Sequence, residues 1–126
     1  MVIDRRQFLA GAGVAALSAT PAFAQAPRKP DHRIVIAPVS LEIAPGHVIK
    51  TVGYNGSVPG PLLRLREGQD VAIAITNKSD SHELVHWHGL AVPSDVDGAM
   101  EEGTPMLMPG ETRSYRFTAK PAGTRW

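Results

Sequence analysis

"DVAIAITN", residues 70–77, alternates Val71, Ile73 and Ile75 with Ala72, Ala74 and Thr76. Successive side chains on a strand point to opposite faces. One face here is β-branched and apolar, and the other is small, so neither requires water. The pattern predicts an inner strand of a β-sandwich, covered on both sides.

Two other segments alternate in the same way. "TRSYRFTA" (112–119) turns Tyr115 and Phe117 inward and Ser114, Arg116 and Thr118 outward. "LLRLR" (62–66) sets Leu63 and Leu65 against Arg64 and Arg66, and "NGSVPGP" (55–61) is dense turn punctuation. "HVIKTVGY" (47–54) and "RIVIAPVSLEIA" (33–44) read as strands. Pro38 has no N–H to give to a ladder, so the latter is expected to run at an edge or to bend. "KSDSHE" (78–83) is a polar loop, "LVHWHG" (84–89) a short strand, and Leu90 to Glu111 a long loop. Short strands separated by turns, without repeats, predict one all-β domain, a Greek-key sandwich.

The charge is nearly balanced, with 13 Lys+Arg against 12 Asp+Glu. No basic stripe carries interleaved aromatics, which argues against nucleic acid as a partner. There is no cysteine. Disulfides, cysteine zinc sites and any copper site that needs a thiolate are thereby excluded.

The N-terminus reads as an address. Arg5 and Arg6 head an apolar run over residues 8–19, and Ala22-Phe23-Ala24 gives a cleavage pattern with the cut after Ala24. The run is too short for a bilayer, which takes about 20 helical residues, so no membrane span is expected. "DRRQFLA" (4–10) resembles the twin-arginine export motif at Arg5, Arg6, Phe8 and Leu9, and departs from its commonest form at Asp4 and Ala10. The expected organisation is a signal peptide over 1–24, a loose polar linker over 25–32 and a β-domain over 33–126, exported to the periplasm. Cleavage would leave 11 basic and 11 acidic residues.

His86 and His88 flank Trp87 in "HWHG". On an extended chain the two imidazoles share one face, with Cα atoms roughly 6.5–7 Å apart, while Trp87 faces the other way and can anchor the segment. Neutral imidazoles so placed can converge on one metal or reach two close ones, and they suit copper, zinc, nickel and iron. Five histidines in a chain of this length produce an H-x-H pair by accident in about one case in six. The pair alone therefore also fits two solvated or hydrogen-bonded histidines on an edge strand.

The flanks carry more. "YNGSVPGPLLRLREGQDVAIAITN", "HWHGL", "VDG", "MPGETRSYRF" and "PAGTRW" follow one another in an order and spacing that resemble the first cupredoxin domain of bacterial multicopper oxidases. The laccase-like, copper-efflux and copper-resistance types are all similar. The resemblance covers about residues 48–126. It implies a cupredoxin β-sandwich that belongs to an enzyme with two or three such domains. That enzyme oxidises a small reducing substrate, cuprous ion or a phenol, at a type 1 copper and reduces dioxygen to water at a three-copper cluster. By the resemblance His86 would ligate the type 2 copper and His88 a type 3 copper. Asp97, in "VDG", would help to deliver protons to bound oxygen, as a carboxylate near the metals can. Asp97 before Gly98 also reads as a plain turn residue, and Asp95 competes for the acidic role. Met100, Met106 and Met108 could pass Cu(I), for which thioethers are soft ligands, or simply fill gaps. His32, His47 and His82 match no ligand motif and read as surface residues.

The remaining ligands of such a cluster are not in this sequence. In the family a second H-x-H segment follows soon after the tryptophan that here is Trp126, and the last domain supplies the others together with the type 1 cysteine. The chain is therefore expected to be the N-terminal piece of a longer oxidase, C-terminally incomplete as a sandwich and inactive alone. Two other readings stand beside this one. The chain could be a stand-alone exported cupredoxin-like copper-binding module without catalysis. It could also be a copper-free relative that serves cell division, against which the retained His86 and His88 argue.

Overall fold

A computed structural model describes residues 28–124. The expected signal residues Arg5, Arg6 and Ala24 lie outside this range. Four strands form: β1 (His32–Ala44), β2 (His47–Tyr54), β3 (Asp70–Asn77) and β4 (Thr112–Thr118). They make one sheet in the order β2-β1-β3-β4. The hairpin β1/β2 and the pair β3/β4 are antiparallel, and β1 runs parallel to β3. After the hairpin the chain thus crosses β1 to place β3 on its far side.

These four segments are the ones expected as strands from the sequence. Both faces of β3 are buried, with Ile73 and Ile75 fully enclosed and Ala72 nearly so. In the β3/β4 register Val71 lies opposite Phe117 and Ile73 opposite Tyr115, so four large side chains share one face. Ile34, paired with Ile75, and Ile36 extend that face onto β1. Fully burying such a side chain contributes about 1.5–3 kcal/mol, which makes this face the main source of stability.

Pro38 sits where β1 becomes an edge, which is one of its two expected roles. The β1/β3 pairing ends at Ile36–Asn77, while the β1/β2 pairing continues past Pro38–Val52. The carbonyl of Val35 accepts from Asn55 on the β2 side and that of Ile36 accepts from Lys78 on the β3 side. By alternation the nitrogen of Pro38 faces the side that β3 has already left, where no ladder bond is lost.

Three expectations are corrected. Residues 62–66 and 84–89 are not strands. Leu63 and Leu65 do pack on the core and Arg64 and Arg66 are exposed, but among the described residues the segment has no strand neighbour. Residues 84–89 likewise alternate without a ladder, entered from a single bridge between Glu83 and Leu107. Alternation reports which side is buried, whereas a strand also needs a partner at hydrogen-bonding distance. Among the described residues, the layer facing the sheet is built from such extended segments, with Val85, Trp87 and Leu107 buried against it. The third correction concerns the lead-in. Arg28 pairs with Asp31 at 3.0 Å, and Asp31 exchanges hydrogen bonds with Ala72, its N–H donating at 2.7 Å and its Oδ2 accepting at 2.8 Å. The second half of 25–32 is therefore tied to β3 rather than loose.

Candidate metal site

The site begins at the end of β3. Asn77 is fully buried, and all its side-chain capacity is used. Its amide donates to the carbonyls of Ser81 (2.7 Å) and Leu107 (3.0 Å). Its Oδ1 accepts from the N–H (2.9 Å) and hydroxyl (2.8 Å) of Ser79. A buried amide so satisfied specifies one geometry. Here it holds the 78–83 loop beside Leu107, and the two backbone bonds between Glu83 and Leu107, 3.0 and 2.9 Å, then launch residues 84–89 across the core.

Along that segment the expected alternation is complete. Val85 and Trp87 are buried while His86 and His88 are exposed. Trp87 packs against Phe117 and Tyr115 with ring centroids 4.9 and 6.0 Å apart, distances at which aromatic pairs attract beyond simple area burial. The tryptophan fixes the segment from below and the two imidazoles project above. Their centroids are 5.5 Å apart, with planes at 87°.

The 94–98 turn then closes on this segment. Gly98 has φ of +77°, and a Cβ built there would lie 2.3 Å from the carbonyl oxygen of Val85 and 2.7 Å from Cα of His86. Only glycine lets the two backbones come this close. The contact brings the carbonyl of Asp97 to 2.7 Å from Nδ1 of His86. A carbonyl can only accept, so Nδ1 carries the proton and Nε2 of the neutral ring keeps its lone pair. A histidine that donates from one nitrogen to a carbonyl or carboxylate, and offers the other to a metal, is the usual arrangement in metal sites. Asp97 also sets its carboxylate Oδ1 at 3.3 Å from the same nitrogen. That oxygen is buried and has no hydrogen-bond partner among the described residues.

Both histidines open onto an apolar groove of about 590 Å3 bordered by Tyr54, Leu62, Leu63 and Leu90. Burial pushes the Tyr54 hydroxyl up, and the negative charge of Glu83 adds to this; Glu67 also lines the groove. Among the described residues no third His, Cys, Asp or Glu joins the pair in a group that could enclose a metal. Two imidazoles with one tautomer fixed suit a borderline metal such as copper or zinc, but they make only part of a coordination sphere.

The other candidates separate. Asp95 is exposed in the turn, and it is Asp97 that meets His86. Met100, in a short 3-10 turn over Met100–Glu102, and Met108 are about half exposed and fill no gap. Met106 is partly buried, and its carbonyl accepts from Arg113 at 2.8 Å. His47 and His82 are exposed, and His32 is partly buried at the start of β1. Sequence reasoning missed Asn77 and Thr104. A polar residue closing an apolar strand was a usable sign for Asn77, and nothing local marks Thr104.

A family model described as multicopper oxidase matches residues 36–126. The chain is 34% identical over 119 residues to multicopper oxidase MmcO of Mycobacterium tuberculosis, covering 90% of this chain and 23% of that protein. It is 35% identical over 72 residues to copper resistance protein A of Escherichia coli, covering 57% of this chain and 12% of that one. A crystal structure of a multi-copper oxidase from Pseudomonas thermotolerans aligns with a TM-score of 0.65 at 36% identity, over 72% of this chain and 22% of that chain. The blue copper oxidase from Nitrosomonas europaea aligns with a TM-score of 0.68 at 30% identity, over 73% of this chain and 30% of that one. The chain spans less than a quarter of the length of either curated relative. The family model matches most of its length and solved multicopper oxidases share its fold over about 72% of it, so the chain belongs to the multicopper oxidase family.

Proposed function

We propose that this chain is the copper-binding N-terminal domain of an oxidase that couples oxidation of a small reducing substrate, cuprous ion or a phenol, to reduction of dioxygen to water. The observation that carries the reading is the 2.7 Å contact of the Asp97 carbonyl with Nδ1 of His86. With Nδ1 committed to the Asp97 carbonyl at 2.7 Å, Nε2 is the nitrogen left for a metal, beside the ring of His88 at 5.5 Å.

In this reading His86 holds the type 2 copper and His88 a type 3 copper. Bound copper supplies the electron transfer by which dioxygen is reduced. The protein's own groups do the rest. Trp87 keeps the histidine segment still by its burial against Phe117 and Tyr115. Asp97 sets a carboxylate oxygen 3.3 Å from Nδ1 of His86, where it would relay protons toward oxygen. The type 1 site and the remaining cluster ligands belong to further cupredoxin domains, with which the groove beside the histidines would be shared.

Residues 1–24 serve as a twin-arginine signal, 25–32 connect, and 33–126 form the first cupredoxin-like domain, placed in the periplasm. No helix among the described residues is long and apolar enough to cross a membrane. The test uses the product of the uninterrupted reading frame that contains this chain. Copper content and dioxygen uptake with Cu(I) or a phenol should both be present, and both should fall sharply in His86→Ala. Full copper content and uptake in that variant would overturn the reading.

A further inference from the structure

The turn that aims His86 is itself held by one buried hydroxyl. Thr104 is 2% exposed. Its Oγ1 donates to the carbonyl of Ser94 and accepts from the N–H of Gly98 at 3.0 Å and of Ala99 at 3.2 Å. A hydroxyl has one proton and two lone pairs, and here all three are used on one turn. The backbone N–H of Thr104 adds a bond to the carbonyl of Ala99 at 3.1 Å. Asp97 lies between the fixed points Ser94 and Gly98, so Thr104 sets where its carbonyl stands.

We infer that Thr104 is the positioning residue that selects which nitrogen of His86 faces the metal. It acts through Asp97 and does not itself touch the ligand ring. Removing the hydroxyl leaves the Ser94 carbonyl and the Gly98 and Ala99 N–H groups without their shared partner. The turn can then relax, and the Asp97 carbonyl leaves its place 2.7 Å from Nδ1. The ring is no longer held in the Nδ1–H form and can adopt the Nε2–H form that free histidine prefers, which turns a protonated nitrogen toward the metal. The inference rests on His86 being a copper ligand for its consequence, but not for its geometry.

The test is two-bond proton–nitrogen NMR on the metal-free chain at about pH 8. Wild type should show His86 protonated at Nδ1. Thr104→Val should give a mixture or the Nε2–H form, and Thr104→Ser, which keeps the hydroxyl, should restore the wild-type tautomer. A locked Nδ1–H tautomer in Thr104→Val would overturn the inference. Should the valine variant not fold, amide exchange in wild type decides: slow exchange at Gly98 and Ala99 is required, and fast exchange there refutes the clasp. Cu(II) titration of the same proteins should weaken about 10- to 100-fold in Thr104→Val and recover in Thr104→Ser, the range usual for residues that orient metal ligands. If the tautomer shifts but wild type shows no His86-dependent copper binding, the copper reading fails and the positioning role stands.

Discussion

Replacing Gly98 by alanine tests whether the turn-to-histidine contact is as tight as the structure has it. The added Cβ would stand 2.3 Å from the Val85 carbonyl oxygen, 2.5 Å from its carbon and 2.7 Å from His86 Cα, all backbone atoms. Ordinary contacts begin at 3.4 Å, so one strand of backbone must retreat by about 1 Å. Alanine at a left-handed φ adds about 1–2 kcal/mol, and forcing extra volume into a packed site about 1–3 kcal/mol. The sum, about 2–5 kcal/mol, is a large part of the 5–15 kcal/mol that typically holds a domain together. Gly110 supplies the control, because its φ is +80° but a Cβ there meets nothing within 4 Å. Gly110→Ala should show only the backbone cost. Urea unfolding followed by circular dichroism measures both. Equal destabilisation by the two variants would refute the claim that the 98 turn and the histidine segment are in enforced contact.

Two other perturbations probe the frame of the site. Trp87→Ala removes the buried anchor and should cost about 3–5 kcal/mol, the usual range for a large aromatic in a core; a loss below 1 kcal/mol in urea unfolding would mean that the histidine segment is held by something else. Acid should weaken the fold at Asp31 and Glu111. The Ala72 N–H, aided by Arg28, holds the Asp31 carboxyl below its ordinary 3.8, and the Met108 N–H, aided by Arg113, holds that of Glu111 below its ordinary 4.5. Both pKa values are lower folded than unfolded, so their contribution is complete above those ordinary values and disappears as pH falls through the folded ones. The urea midpoint should therefore drop between pH 5 and pH 3, and drop less in Asp31→Asn/Glu111→Gln; an unchanged pH dependence in the double variant would contradict this.

The parts of the molecule legible in sequence are those encoded by a local period. Strands β3 and β4 came from alternation, β1 and β2 from runs of β-branched and apolar residues between turns, and the outward pairing of His86 and His88 around a buried Trp87 from alternation again. What alternation could not say was whether a segment finds a neighbour. Residues 62–66 and 84–89 have the right pattern, yet pairing depends on chain far away in sequence, and the histidine segment is entered from a bridge between Glu83 and Leu107. The site was half legible for the same reason. Asp-Gly announced a turn at Asp97–Gly98, but not that the turn would land on the backbone of Val85 and His86. Thr104 is one threonine in a long loop, and its role exists only because the path of residues 94–104 folds Ser94, Gly98 and Ala99 around one oxygen. The lead-in shows the opposite failure, since polar, proline-bearing sequence suggested looseness where Asp31 reads out the edge of β3 through its side chain.

The central claim is that His86 and His88 are metal ligands rather than solvated surface histidines. Titration of the chain with Cu(II), followed by electron paramagnetic resonance, tests it most directly. Wild type should bind copper weakly, as two imidazoles allow, with nitrogen hyperfine structure from imidazole, and His86→Ala/His88→Ala should lose both the binding and the signal. Equal affinity and an unchanged spectrum in the double variant would contradict the assignment.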